Sequence, residues 1–153
     1  MKILDILDKE TIVSELVSRN KEGVLRELVR VLMRVEKQIN EERIMEILME
    51  RESLGSTGIG EGVAIPHGKS KDLKRLLASF GRSNPGMDFQ SMDGKPTHLF
   101  FLLVAPENSA GIHLKALARI SRLMKDQTFR QRLVEAKSAE EIYSLFAESD
   151  EKL

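Results

Sequence analysis

The chain has 153 residues, 41% apolar and 31% charged, which suits one globular domain with a real core and excludes a disordered segment. Its 24 basic residues balance its 24 acidic ones, so no net field draws it to nucleic acid or to a membrane surface. The absence of cysteine excludes disulfides, thiolate metal sites and cysteine nucleophiles, and fits a reducing cytoplasm.

In chain order, the opening MKILDILDKE carries an acid or a base every few residues and lacks the apolar stretch of a signal peptide. Asn20 suits the N-cap of a helix reaching about Lys37. In it Val24, Leu25, Leu28, Val31, Leu32 and Val35 recur at helical spacing and form a buried stripe. Asn40 caps a second helix to about Glu52, with Ile44, Ile47 and Leu48 inward and Arg51 on the same apolar face in the last turn. From Leu54 to Gly68 the glycines at 55, 58, 60 and 62 punctuate short β-type pieces, among them GVAIPH.

Leu76 to Phe80 predicts a strand, and Asp93-Gly94 marks a hairpin before THLFFLLVAP. The unbroken apolar run from Leu99 to Ala105 suits a central strand covered on both faces, and is far below the roughly 20 residues that span a bilayer. NSAGIHLKALARISRLMKD predicts a helix capped by Ser109 or Asn108, followed by a short helix over Phe129 to Glu135. A capping box of Ser138 with Glu141 opens the last helix, which buries Ile142, Leu145 and Phe146. Repeats and linkers are lacking. Helices, then strands, then helices predict an α/β or α+β domain with a mixed sheet.

The stretch RESLGSTGIGEGVAIPHGKS, residues 51 to 70, carries the chemistry. His67 follows a short apolar strand and Pro66 within a glycine-dense run, whose backbone N–H groups can approach an anion closely. Imidazole is a nucleophile near pH 7, so a histidine held at a strand end beside exposed amides suits phosphoryl acceptance. The GKS at 68 to 70 is no Walker A tail, because Val63 stands where its first glycine belongs, and the glycine run does not fit GxGxxG either. On this pattern alone a structural turn histidine serves equally well.

The block GSTGIGEGVAIPHGK resembles the phosphorylation-site signature of the fructose/mannitol-type enzyme IIA domains of the phosphoenolpyruvate-dependent phosphotransferase system, especially its nitrogen-regulatory branch. HLFFLLVAP, HLKALARISRLMKD and SAEEIYSLF resemble family segments in the same order, so the resemblance covers nearly the whole chain. It implies an α/β fold in a single domain over residues 1–153, with a mixed central β-sheet flanked by helices on both faces. It further implies His67 as the phosphorylated residue, through Nε2, with HPr or its nitrogen-branch counterpart as donor. Arg51 matches the family's arginine upstream of the glycine block, and His113 matches its second histidine.

Both carry-overs fit the residues. An inward arginine can fork onto a phosphate, and His113 shares a helix face with Leu117, Ile120 and Met124 in a first turn that favours anions and a neutral imidazole. Ser56 and Thr57 are expected to offer hydroxyls, and Gly58 with the glycine-rich loop its backbone amide, to the phosphoryl oxygens. The plainer alternatives are a helix-dipole role for Arg51 and a core role for His113. His98 is expected to be structural, and Glu61 is left outside the site. The histidine spacings lack HxH and HxxxH, so no metal is expected. No cofactor is expected, because the phosphoryl group arrives on a protein.

Three functions follow from the resemblance. The first is a transport component passing phosphate to a IIB component, whose acceptor in this family is typically a cysteine on another protein. The second is a phosphorylation-dependent regulator of a target protein, which the nitrogen-branch likeness and the lack of a fused permease or IIB segment favour. The third is a non-catalytic binding domain. Nucleic-acid partners and direct membrane insertion are not expected, and the location is expected to be cytoplasmic.

Overall fold

The computed structural model describes residues 1–152, so the domain end expected at 153 lies outside the described residues. After a 3-10 turn at Ile3–Asp5 come β1 Leu7–Val13, α1 Lys21–Leu32, α2 Glu41–Ser53, β2 Gly58–Gly60, β3 Val63–Ala64 and β4 His67–Ser70. The chain continues through β5 Leu77–Met87, β6 Thr97–Pro106, α3 Ala110–Met124, α4 Gln127–Glu135 and α5 Ala139–Glu151. The strands form one six-stranded sheet in the order β1-β5-β6-β3-β2, with β4 also beside β6. The β5–β6 and β2–β3 pairs are antiparallel, while β1–β5, β3–β6 and β4–β6 are parallel, so the sheet is mixed.

β6 organises both cores, as its unalternating apolar run predicts. Leu99, Phe101, Leu103 and Ala105 face the core made with α3, α4 and α5, which includes Ile120, Phe129 and Phe146. Phe100, Leu102 and Val104 face the other core, made with α1 and α2, which includes Leu25, Leu28 and Leu48. One strand thus buries both its side-chain rows, the arrangement of a sheet covered on both faces. Among the described residues no helix is long and apolar enough to cross a membrane.

Several local expectations need correction. β1 is a strand that the charged run Asp8-Lys9-Glu10 disguises; those residues lie exposed in an irregularity of the β1–β5 pairing between Leu7 and Ile12. α1 stops at Leu32 rather than near Lys37, because its ladder tightens into i→i−3 bonds from Met33, Arg34 and Val35 to Arg30, Val31 and Leu32. The strand predicted over Leu76 to Phe80 extends to Met87. The Asp93-Gly94 turn does lie within the β5–β6 connection, with Gly94 at φ 71°.

The caps divide. Asn20, Asn40 and Ser138 accept from Gly23, Arg43 and Glu141 amides as N-caps should. Glu141, however, reaches back to the Lys137 amide (2.8 Å) instead of that of Ser138. Ser109 stands at the N-cap of α3, but its hydroxyl donates to the Pro106 carbonyl (2.5 Å) and caps nothing.

Candidate functional site

β4 owes its place to the parallel pairing of His67, Gly68, Lys69 and Ser70 with Leu103 through Pro106 of β6. α2 lies directly on it: a Cβ added at Gly68 would sit 2.6 Å from Ile47 Cγ2, so only glycine admits the helix this close. The approach to β4 is set by the β2–β3 hairpin, whose turn residues Glu61 and Gly62 have φ of 59° and 77°, as a tight primed turn requires. Pro66 then delivers the chain to His67 while its carbonyl accepts the Leu103 amide (3.0 Å).

His67 is half-buried at the start of β4, and its Nδ1 lies 2.8 Å from the Ile65 carbonyl oxygen. A carbonyl only accepts, so Nδ1 carries the proton and Nε2 keeps its lone pair. Burial, with the positive charge of Arg51 nearby, holds the His67 pKa below the ordinary imidazole value. The ring is therefore neutral at pH 7, with its nucleophilic nitrogen fixed by geometry.

The His113 ring stands edge-on to that of His67, with centroids 5.7 Å apart and planes at 90°. It arrives from the first turn of α3 and is 4% exposed. Neither of its ring nitrogens has a hydrogen-bond partner among the described residues. Burial, followed by the charges of His67 and Lys69, lowers its pKa to about 4. A buried imidazole with both nitrogens unsatisfied is costly unless something else meets them, and the space beside it is the pocket above His67.

That pocket, of about 580 Å³, has Arg43, Arg51, His67, Lys69, Glu107 and His113 among its lining residues. Arg51 ends α2, where its Nη1 donates to the Gly55 carbonyl (2.8 Å) and so also closes the helix C-terminus. The helix-end role and the pocket position therefore coexist in one side chain. Among ionisable side chains of the lining, Arg43, Arg51, Lys69 and Lys71 outnumber Glu50 and Glu107, a balance that suits an anion.

The structure brings His67, Arg51 and His113 together and keeps Ser56, Thr57 and Gly58 apart from them. The Ser56 hydroxyl donates to the Phe89 carbonyl (2.7 Å) and accepts from the Gly58 amide (3.0 Å). The Thr57 hydroxyl and amide both donate to the Glu52 carboxylate. These groups are thus engaged within the protein, and none of the three residues lines the pocket beside His67. His98, expected to be structural, has its Nδ1 3.0 Å from the Ser83 carbonyl oxygen, and its ring fills the space a Cβ on Gly86 would need. Glu61 lies outside the pocket.

Sequence reasoning missed Lys69, Arg43 and the buried Glu52. For Lys69, the strand character of HGKS was hidden by its glycine and preceding proline. For Glu52, the signal was a carboxylate adjoining the inward residues at the end of α2.

A neutral, half-buried histidine, its Nδ1 engaged by a backbone carbonyl, thus stands beside a pocket with an excess of cationic side chains, an arrangement that suits an anion. The family profile described as "Phosphoenolpyruvate-dependent sugar phosphotransferase system, EIIA 2" matches residues 5–149. The chain is 44% identical over 147 residues to a nitrogen regulatory protein of Bradyrhizobium diazoefficiens, covering 96% of this chain and 95% of that one. It is 41% identical over 150 residues to a fructose-specific EIIABC component of Bacillus subtilis, covering 98% of this chain but 24% of that larger protein. Its fold superposes on the crystal structure of nitrogen regulatory protein IIA-Ntr from Neisseria meningitidis with a TM-score of 0.87 and 35% identity, covering 93% and 97% of the two chains. The chain belongs to the EIIA type 2 family of the phosphoenolpyruvate-dependent sugar phosphotransferase system.

Proposed function

We propose that this protein is a phosphocarrier that accepts a phosphoryl group on Nε2 of His67 from an HPr-type phosphocarrier or its nitrogen-branch counterpart. It either passes the group to a IIB component or presents its phosphorylation state to a regulatory target. The observation that carries the reading is the Nδ1 contact with the Ile65 carbonyl, which leaves Nε2 as the ring's free lone pair.

In an in-line transfer, Nε2 attacks phosphorus as the bond to the donor's imidazole breaks, and the Nδ1 proton stays on His67 against the Ile65 oxygen. Such transfers need positioning and charge stabilisation more than covalent machinery. Arg51 and Lys69 offset charge on the equatorial oxygens, and His113, neutral at pH 7, donates its N–H to one of them. A neutral second histidine grips the dianion moderately, which suits a group that must leave again. The near end-to-end match with a nitrogen regulatory protein supports the regulatory destination. A cytoplasmic location fits this reading, since both donor and acceptor are proteins of the relay.

The test is incubation with phosphoenolpyruvate, enzyme I and a set of phosphocarriers, followed by intact mass. One acid-labile phosphoryl group per chain is expected, and none in His67→Ala. A folded wild-type protein that takes no phosphate from any carrier would make the chain a binding domain only.

A further inference from the structure

Glu52 is a carboxylate whose side chain is 3% exposed, at the end of α2 and one residue past Arg51. Burying a carboxylate costs free energy unless its oxygens are matched by donors. Here they are: one oxygen accepts from Lys21 Nζ (2.9 Å) and the Thr57 amide (3.2 Å), and the other from the Thr57 hydroxyl. Lys21 is itself held from the first turn of α1 over the Phe89 ring, 4.5 Å from its centroid. Thr57 is thus clamped by backbone and side chain together. Its carbonyl accepts the Ile65 amide (3.0 Å), and the Ile65 carbonyl in turn faces His67 Nδ1 (2.8 Å).

We propose that Glu52 is a positioning residue that fixes the tautomer and aim of His67 through Thr57 and Ile65. It touches neither the phosphoryl group nor the reacting nitrogen. If Thr57 were free to shift, Ile65 would shift with it, and the carbonyl that holds the Nδ1 proton would lose its bearing on the ring. A carbonyl half an ångström out of place weakens that bond and lets the proton move to Nε2, where it blocks attack. The Glu52 charge adds a smaller effect of its own: burial and Arg51 lower the His67 pKa, and the Ile65 contact and, least of these, Glu52 oppose them. The inference rests on the reading of His67 as phosphoryl acceptor.

The test uses the unphosphorylated full chain with ¹⁵N-labelled histidine. Long-range ¹H–¹⁵N spectra report the His67 tautomer, its titration and the exchange of its Nδ1 proton with water. Wild type is expected to show the Nδ1–H form. Glu52→Gln keeps the shape and one acceptor but loses the charge. It should lower the His67 titration midpoint, speed Nδ1 proton exchange about tenfold and slow phosphorylation by a similar factor. Thr57→Val keeps both backbone groups, loses the hydroxyl, and should move the same signals in the same direction by less. An unchanged His67 tautomer, titration and exchange in folded Glu52→Gln overturns the proposal. If that variant does not fold, unchanged exchange in Thr57→Val overturns it. Phosphorylation of a residue other than His67 removes the acceptor reading instead, and the spectra of the unphosphorylated chain still decide the positioning role.

Discussion

Acid should destabilise this fold through His113 in a way that a single substitution can isolate. The ring is buried with its pKa lowered from 6.5 to about 4, first by desolvation and then by the charges of His67 and Lys69. In the unfolded chain it titrates near 6.5. Between those values the unfolded state binds the proton and the native state does not, so stability falls as pH drops from about 6.5 and the loss is complete near 4. A shift of this size corresponds to about 3 kcal/mol across that window. His113→Gln removes the titrating ring while keeping a hydrogen-bond donor of similar reach.

Urea unfolding of both proteins at steps from pH 7.5 to 4 isolates the effect, because the carboxylates titrate in both and largely cancel, while the repulsion between His67 and His113 is part of the gap being read. The stability gap, wild type minus variant, should shrink by about 3 kcal/mol on going from pH 7 to pH 4. A gap constant within about 0.5 kcal/mol would show that His113 is not held neutral by burial and would refute the reasoning.

Arg51→Ala should slow phosphoryl transfer from HPr about tenfold to a hundredfold with little change in urea midpoint, since its one direct bond is the exposed contact to the Gly55 carbonyl. A wild-type rate would reduce Arg51 to closing its helix. Per folded molecule, single-turnover phosphorylation should rank wild type above His113→Gln above His113→Ala; equal rates would remove His113 from the site. Gly68→Val should cost about 1–3 kcal/mol in urea unfolding and slow transfer, because its Cβ would meet Ile47 Cγ2 at 2.6 Å and push α2 off β4. An unchanged midpoint would mean that Ile47 gives way freely.

The parts of this architecture that were legible in sequence are those written in one local period. The β6 run and the α5 stripe with its Ser138 cap each carry their own signal, and both stand where the pattern put them. β1 was invisible because its pairing to β5 is nonlocal and its charged middle leaves the ladder. The glycine block drew attention to His67 without deciding its role, and it could not reveal that its hydroxyls are engaged elsewhere, because the partners that claim them, Glu52 and the Phe89 carbonyl, come from α2 and the segment after β5. Arg51 and His113 were named from resemblance, and only the fold shows why they meet: α2 packs over β4, and α3 begins just after β6, the strand that carries β4.

The central claim is that Nε2 of His67, left free by the Ile65 carbonyl on Nδ1, takes the phosphoryl group. Phosphorus–nitrogen coupling in ¹⁵N-histidine-labelled protein, phosphorylated through enzyme I and a phosphocarrier and held at alkaline pH, reads the bonded atom directly. The account predicts a single ³¹P signal coupled to Nε2 of His67. Coupling to Nδ1 of His67, or to either nitrogen of His113, would contradict it.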